Sequence, residues 1–361
     1  MRFGLKKRPQ PLASPLASLG IMVASVVAAF IVCAGIIALA GANPWEAYVA
    51  IVVGAFGSTN GIGNVVMKST PILLTGLGTT VAFRSGQWNI GGDGQIYMGA
   101  LGGTVVGLML GPSLGRLALP IAIFAAFLAG AVWVLVPAVL KAYRDVSEII
   151  STLMLSYVAT FIIQYLVDGP LQGSSSYMPQ TNAVAEGARL PILLAQYRLH
   201  AGTVIALVAT VLIYVLLWRT PFGYELRAIG QSRKAAHYGG IPVKRNIILV
   251  MLISGGLSGL AGANEVLGYH YRLFDGISPG YGFTGITVSL LGRLNPIGTT
   301  VASVLFSSLL VGANNMRSAV GVPTAVAGII QGVVVLFALG TQVFLEYEPV
   351  VSLPGSRVRA S

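Results

Sequence analysis

LGIMVASVVAAFIVCAGIIALA, Leu19 to Ala40, runs for 22 residues without a single charge, and its reading decides the fold. About 20 apolar residues are needed to carry a helix across roughly 30 Å of hydrocarbon. This run meets that length, so it reads as a transmembrane helix. Arg2, Lys6, Lys7 and Arg8 precede it, giving the basic start of a signal peptide. The run is too long for one and lacks a convincing cleavage site, so it reads as an uncleaved first span. Outward from it the same texture recurs. Uncharged runs predict further spans near 65–83, 96–111, 118–140, 149–167, 201–218, 246–267, 279–292, 297–316 and 322–340.

The composition agrees. Hydrophobic residues make up 55% of the 361-residue chain and charged residues only 9%. The 46 glycines suit helices that pack backbone to backbone, because lipid supplies no hydrophobic drive between them. Alternating ten-residue segments, the mark of a membrane β-barrel, are absent from the sequence. The expected fold class is therefore all-α, a polytopic transmembrane helical bundle of about ten spans, with a range of 8–11. The lone Cys33 lies inside the first run. It permits no intrachain disulfide and reads as a small core residue.

Cytoplasmic loops collect Lys and Arg. With the N terminus inside, sixteen of the 22 basic residues fall on that side, and only Lys68, Arg116, Arg189, Arg198, Arg272 and Arg317 fall outside. Both termini are expected in the cytoplasm. The asymmetry also accounts for the net charge of +11 without nucleic acid, since no basic stripe interleaved with exposed aromatics remains once the spans are removed. The expected organisation is a basic N terminus over 1–18, a transmembrane domain over 19–345 and a tail over 346–361.

Two polar excursions interrupt the spans. The outer one, over 168–200, contains GPLQGSSSYMPQTN (Gly169 to Asn182) and reads as a loop with a short surface helix that could face a delivery protein. The inner one, over 219–245, contains TPFGYELRAIGQSRKAAHYGGIPVKR (Thr220 to Arg245). The spacing of Leu226, Ile229 and Ala236 predicts a short amphipathic helix stopped by Gly239 and Gly240. It reads either as a membrane-surface helix or as a docking element for a cytoplasmic partner.

FRSGQWNIGGDGQ, Phe83 to Gln95, places glycines, amides and a carboxylate beside apolar spans. Irregular backbone at membrane depth persists only where it is buried in protein or lines a wet cavity. GISPGYGFTG, Gly276 to Gly285, is a second such break in the latter half. Paired interruptions in two halves point to a midplane binding site. Gln87, Trp88, Asn89, Asp93 and Gln95 are therefore candidates to line a pathway. The alternative is that they cap or pack a turn. Glu148 and Asn264 join them as polar residues beside or within apolar spans, although Glu148 could equally cap the helix that follows, and Glu265 could reach water at a helix end. SGGLSGLAGA, Ser254 to Ala263, reads as a helix-packing face. Trp45, Tyr48, Trp218 and Tyr224 fit interfacial anchors. NIGGDGQ lacks the Lys-Ser/Thr ending of a phosphate-binding loop and follows no strand, so no ATPase site is expected in the chain. His200, His237 and His270 share no metal-ligand spacing, and no metal is expected.

The inner loop also carries a resemblance. Gly223, Leu226, Arg227, Ala228 and Gly230, followed by Ala235, Ala236, Gly240 and Ile241, with Gly239 beside them, are similar to the coupling loop of ABC-transporter permeases of the simple-sugar, nucleoside and branched-chain amino-acid type. Three further segments resemble the nucleoside-type members: Phe83 to Gln95, EIISTLMLSYVA (Glu148 to Ala159) and SPGYGFTGITVSLLGRLNPIG (Ser278 to Gly298). Asp93 stands where that pattern has Glu, and Ser156 where Asn is usual. The resemblance implies an importer subunit in a bacterial inner membrane that moves a nucleoside or related purine-type solute. It also implies ATP-binding subunits docking at Glu225, Arg227 and the basic run behind them, a second permease, identical or different, and an extracytoplasmic substrate-binding protein. ATP would bind those partners, and the chain itself would hold no cofactor. A simple-sugar or branched-chain amino-acid permease is the nearest alternative. An ion-coupled secondary transporter is a different class, and would carry an intramembrane carboxylate or His relay. A membrane enzyme would need a catalytic constellation that the sequence does not show.

Overall fold

The computed structural model describes residues 2–7, 15–174, 178–197, 199–321, 326, 328–334, 336–337, 340 and 347–352. In chain order they form β1 (Arg2–Lys7), α1 (Pro15–Leu39), α2 (Pro44–Phe56), α3 (Thr59–Arg84), α4 (Gly92–Met109), α5 (Gly111–Leu114), α6 (Ala118–Arg144) and α7 (Glu148–Asp168). There follow β2 (Ile192–Leu194), β3 (Leu199–His200), α8 (Gly202–Arg219), α9 (Pro221–Gln231), α10 (Arg233–Tyr238) and α11 (Val243–Ala263), a π-helical turn over Asn264–His270, then α12 (Tyr281–Leu291), α13 (Pro296–Val320) and β4 (Tyr347–Ser352). The chain divides into two compact units, Met1–Gly54 with Gly312–Ser361, and Ala55–Val311.

Among the described residues, six helices are long and apolar enough to cross a membrane, and a seventh span arises if the bent pair Val27–Leu39 and Pro44–Phe56 counts as one. The protein is thus an all-α polytopic membrane protein. Three of the expected spans differ. α4 is helical but, rich in glycine and opening on Gly-Asp-Gly-Gln, is not among the six, and α12 has only 11 residues. The run expected over 322–340 lies partly outside the described residues, and its described residues are helical. α2 has no counterpart among the expected spans because its 13 residues fall short of one.

In the first unit, α1 and α2 meet at 112°, and Asn315 donates its amide to the Ala50 carbonyl at 2.7 Å. β1 and β4 pair antiparallel, from Arg2 opposite Ser352 to Lys7 opposite Tyr347.

In the second unit the least apolar span is the most buried. α3 is the least apolar of the six spans, yet 89% of its spanning window is buried, against 28% for the far more apolar α5–α6 and 17% for α7. The aliphatic faces of α6 and α7 are left exposed, while threonines and glycines of α3 face protein. Thr75, Thr79 and Thr80 satisfy their hydroxyls on carbonyls four residues back, the usual solution for a hydroxyl inside a helix. Thr80 also meets Thr299 of α13 at 3.0 Å.

Small residues set the helix crossings. A Cβ on Gly99 of α4 would sit 2.3 Å from the Cα and carbonyl oxygen of Gly259 in α11, and one on Gly130 of α6 would sit 2.3 Å from the Gly255 carbonyl oxygen. α4, α6 and α11 therefore touch backbone to backbone, as the small-residue face over Ser254–Ala263 predicts. The outer excursion differs from expectation. Among the described residues it holds two 3-10 turns, Glu186–Ala188 and Ala195–Tyr197, and the β2–β3 pair, and it hydrogen-bonds down onto the chain after α11 through Thr181, Val184 and Leu190, whose amides donate to Leu273, Tyr271 and Leu267. Val184, Ala188 and Leu190 are buried beneath it, and this apolar underside is what fixes it as a cover.

Candidate functional site

Both interrupted segments are irregular, and they meet. α3 stops at Arg84, Gly86 turns the chain at φ +72°, and α4 resumes at Gly92. The later break ends at Gly280, φ +83°, where α12 begins. Asp93, in the first turn of α4, accepts from the Ser278 hydroxyl at 2.6 Å and from the Gly282 amide at 2.9 Å. Its carboxylate thus sits at the N terminus of α12, where orphan amides and the helix dipole favour negative charge.

Beside it, Asn89 and Gln95 exchange amide hydrogen bonds at 3.0 and 2.9 Å, and Asn89 also donates to Ser254 of α11 at 2.9 Å. Both are buried, as is Gln87, whereas Trp88 is half exposed. Thr152 and Ser156 of α7 accept from the amides of Ile90 and Gly94. The junction therefore gathers α3, α4, α7, α11 and α12, and every orphan polar group named here finds a partner within it.

A chain of polar contacts leads from this junction to the inner loop. Arg233 of α10 donates to the Gln87 side-chain oxygen at 2.7 Å and lies 3.4 Å from Asp145. Asp145 pairs with Lys141 at 2.8 Å, Lys141 with Glu148 at 3.0 Å, and Glu148 accepts from the Trp88 amide at 3.3 Å. The Lys141 hydrogen bond holds the Asp145 carboxyl below its usual range. Ser147, not Glu148, is the N-cap residue of α7; Glu148 follows it as the first helical residue and bridges α6 to the break.

The inner loop corrects one expectation. It forms two helices rather than one, because Ser232 breaks the run in an extended conformation and caps α10 by accepting from the Ala235 amide, as Thr220 caps α9 through Gly223. Gly239 and Gly240 do end α10, Gly240 at φ +80°. Leu226, Ile229 and Ala236 point inward. Two expected docking residues are engaged by the chain itself: Glu225 accepts from Asn246 of α11 at 2.6 Å, and Arg227 donates to the Leu217 carbonyl and lies over the Trp218 ring at 4.8 Å. Tyr224, Lys234 and Tyr238 face outward instead.

Asn264 lies apart from the junction, in the π-helical turn. It is buried with neither amide atom hydrogen-bonded, close to the buried His200, whose Nε2 is also unpartnered. Glu265 is buried too, 3.4 Å from His270, rather than extended to water. Lys68, counted as an outer loop cation from sequence, sits within α3 and donates to Tyr281 at 2.7 Å. This second polar group joins residues more than 200 positions apart, and the only hint in the sequence is the polarity of Asn264 and Glu265 within an apolar run. π-Helical turns recur at functional sites.

The family described as the branched-chain amino acid transport system / permease component matches residues 61–339. A glucose ABC transporter permease of Haloferax volcanii is 35% identical over 96% of this chain and 94% of its own length. A guanosine ABC transporter permease of Bacillus subtilis is 37% identical over 84% and 87%, and a nucleoside ABC transporter permease of Lactococcus lactis is 30% identical over 87% and 88%. No solved structure matches the chain. On this coverage the chain belongs to the permease components of ABC transport systems, of the simple-sugar and nucleoside type.

Proposed function

We propose that this permease imports a nucleoside or related purine-type solute, driven by ATP that separate subunits hydrolyse after docking on the outward residues of α9 and α10. The observation that carries the mechanical part is the contact chain from Arg233 through Gln87, and through Asp145, Lys141 and Glu148, to the Trp88 amide. A displacement of α10 is thereby delivered to the segment between α3 and α4. Gln87, Trp88, Asn89, Asp93, Gln95 and Glu148 then set the position of the break, and Asn264 contributes unsatisfied polar atoms to the pathway. The guanosine and nucleoside permeases among the relatives support the solute class. A simple sugar is the second reading, favoured by the glucose permease of Haloferax volcanii.

The proposal places about ten spans in a bacterial inner membrane. The six long helices, the bent α1–α2 pair, α4, α12 and the run over 322–340 make that number. Both termini lie in the cytoplasm with the larger share of Lys and Arg. A second permease chain, an extracytoplasmic binding protein over the packed outer cover, and the ATP-binding subunits complete the assembly, and ATP is held by those subunits alone. Purification from native membrane tests this. ATPase subunits should co-purify, and hydrolysis should rise with nucleoside and added binding protein. Stimulation by sugars only would move the solute class, and a chain that emerges alone without hydrolysis would overturn the docking proposal.

A further inference from the structure

Where α6 ends and α11 begins, a groove of ≈ 1140 Å³ opens. Five cations line it, Lys141, Arg144, Arg233, Lys244 and Arg245, against a single carboxylate, Asp145. Asp145 is already shared by Lys141 and Arg233. Arg144, Lys244 and Arg245 are exposed and form no ion pair among the described residues, and Lys244 lies over the Tyr143 ring at 5.2 Å. The groove thus holds an excess of uncompensated positive charge.

Its position says what neutralises that charge. Two spanning helices begin or end here, so the groove stands at the boundary of hydrocarbon and water. From its rim an apolar stripe runs along α6 through Tyr143, Leu140, Val136 and Val132, which are 61%, 37%, 59% and 61% exposed. The spacing of three and four keeps them on one helix face. The eleven helical steps from Val132 to Tyr143 span about 16 Å, which is close to one leaflet, half of the roughly 30 Å hydrocarbon thickness. A free phosphate would use only the cations, and a soluble protein could not follow the stripe into the membrane. Basic pockets between transmembrane helices are suited to phosphate headgroups.

We propose that this groove binds one anionic phospholipid, with its phosphate between Arg144 and Arg245 and an acyl chain along the Val132 to Tyr143 face of α6. The lipid neutralises the excess positive charge beside α10 and so braces the inner loop from its membrane side.

Native mass spectrometry of the purified transporter, mixed with phosphatidylglycerol or phosphatidylcholine, tests the site. Phosphatidylglycerol should be retained at one copy per permease chain in preference to phosphatidylcholine. Removing two headgroup cations, Arg144→Gln with Arg245→Gln, should weaken retention by roughly 30-fold. Both residues are exposed, so the fold should be unaffected. Lys234→Gln removes an exposed cation of α10 that does not line the groove and should leave retention unchanged. Equal losses from Lys234→Gln would reduce the effect to bulk charge and overturn the site. Displacement by millimolar inorganic phosphate would overturn the lipid in favour of a free anion. Loss of ATPase subunits from the double variant with lipid retention intact would overturn it in favour of a protein contact.

Discussion

Gly99→Ala adds one methyl group where α4 crosses α11. The new Cβ would lie 2.3 Å from the Cα and carbonyl oxygen of Gly259 and 2.6 Å from its carbonyl carbon. Carbon atoms rest at about 3.5–4.0 Å, so the two helices must part by more than ~1 Å. They cannot do so locally. A Cβ on Gly259 would itself meet the Ala126 carbonyl oxygen of α6 at 2.3 Å, so α11 is held on its far side by backbone as well. Overpacking a close-packed site costs about 1–3 kcal/mol. The upper end applies here because no flexible side chain can give way, and the better helix propensity of alanine offsets about 0.5–1 kcal/mol. The net expectation is a loss of about 2 kcal/mol, roughly 30-fold in the folding equilibrium. Thermal unfolding of the detergent-purified chain reads it directly. Gly35→Ala is the matched control: nothing lies within 4 Å of its Cβ position, so only the propensity gain remains and the melting temperature should hold or rise. A Gly99→Ala protein that melts with the wild type would refute backbone contact at this crossing.

Three further outcomes are expected. Asp93→Ala should lower stability by about 2 kcal/mol, because it orphans the Ser278 hydroxyl and the Gly282 amide. Asp93→Asn keeps one acceptor oxygen and should recover part of that loss in the same melting assay. Arg233→Met should leave ATPase subunits bound and hydrolysis running in reconstituted vesicles while solute uptake falls, because it severs α10 from Gln87 and Asp145; uptake that stays in step with hydrolysis would break the transmission argument. Burial holds the His200 imidazole below its ordinary value of 6.5, so the folded protein binds fewer protons there than the unfolded chain. Stability from this group is therefore constant above about pH 6.5 and declines as pH falls through that value toward the folded one. Melting curves at pH 7.5 and 5.5 should show that decline in the wild type and a smaller one in His200→Asn.

The parts of the fold that are legible in the sequence are those set within one helix length. The long uncharged runs announce the spans, Gly239 and Gly240 mark the end of α10, and Leu226, Ile229 and Ala236 face inward at the spacing they show. The Ser254–Ala263 face reads correctly as packing because residues so small offer little else. What lies beyond is contact between distant positions. Asp93 and Ser278 stand 185 residues apart, and nothing local to either names the other. Glu225 and Arg227 look like outward charges on an amphipathic helix until α8 and α11 close around them. The outer excursion reads as solvated loop because its Gly and Ser content dominates, whereas three buried aliphatic residues decide its packing. The break at Ser232 was within reach, since a serine followed three residues later by a free amide is an ordinary cap, but the continuous apolar spacing across it masks the signal.

The polar interior of α3 bears on how the chain enters the membrane during synthesis. Translocation machinery admits each segment according to its own partitioning, and a lysine near a helix centre weighs against integration by about 2.5–3.5 kcal/mol. α3 carries Lys68 together with Thr70, Thr75, Thr79 and Thr80, and two of the groups that meet its polar side chains, Tyr281 and Thr299, are made 213 and 219 residues after Lys68 and Thr80, their respective partners. A ribosome that has finished α7 has therefore produced a central helix with no finished neighbour on its polar side. Chains truncated after Asp168 should leave α3 incompletely integrated in a glycosylation-mapping assay, and chains extended through Leu291 should restore it, which makes late helices the chaperones of an early one.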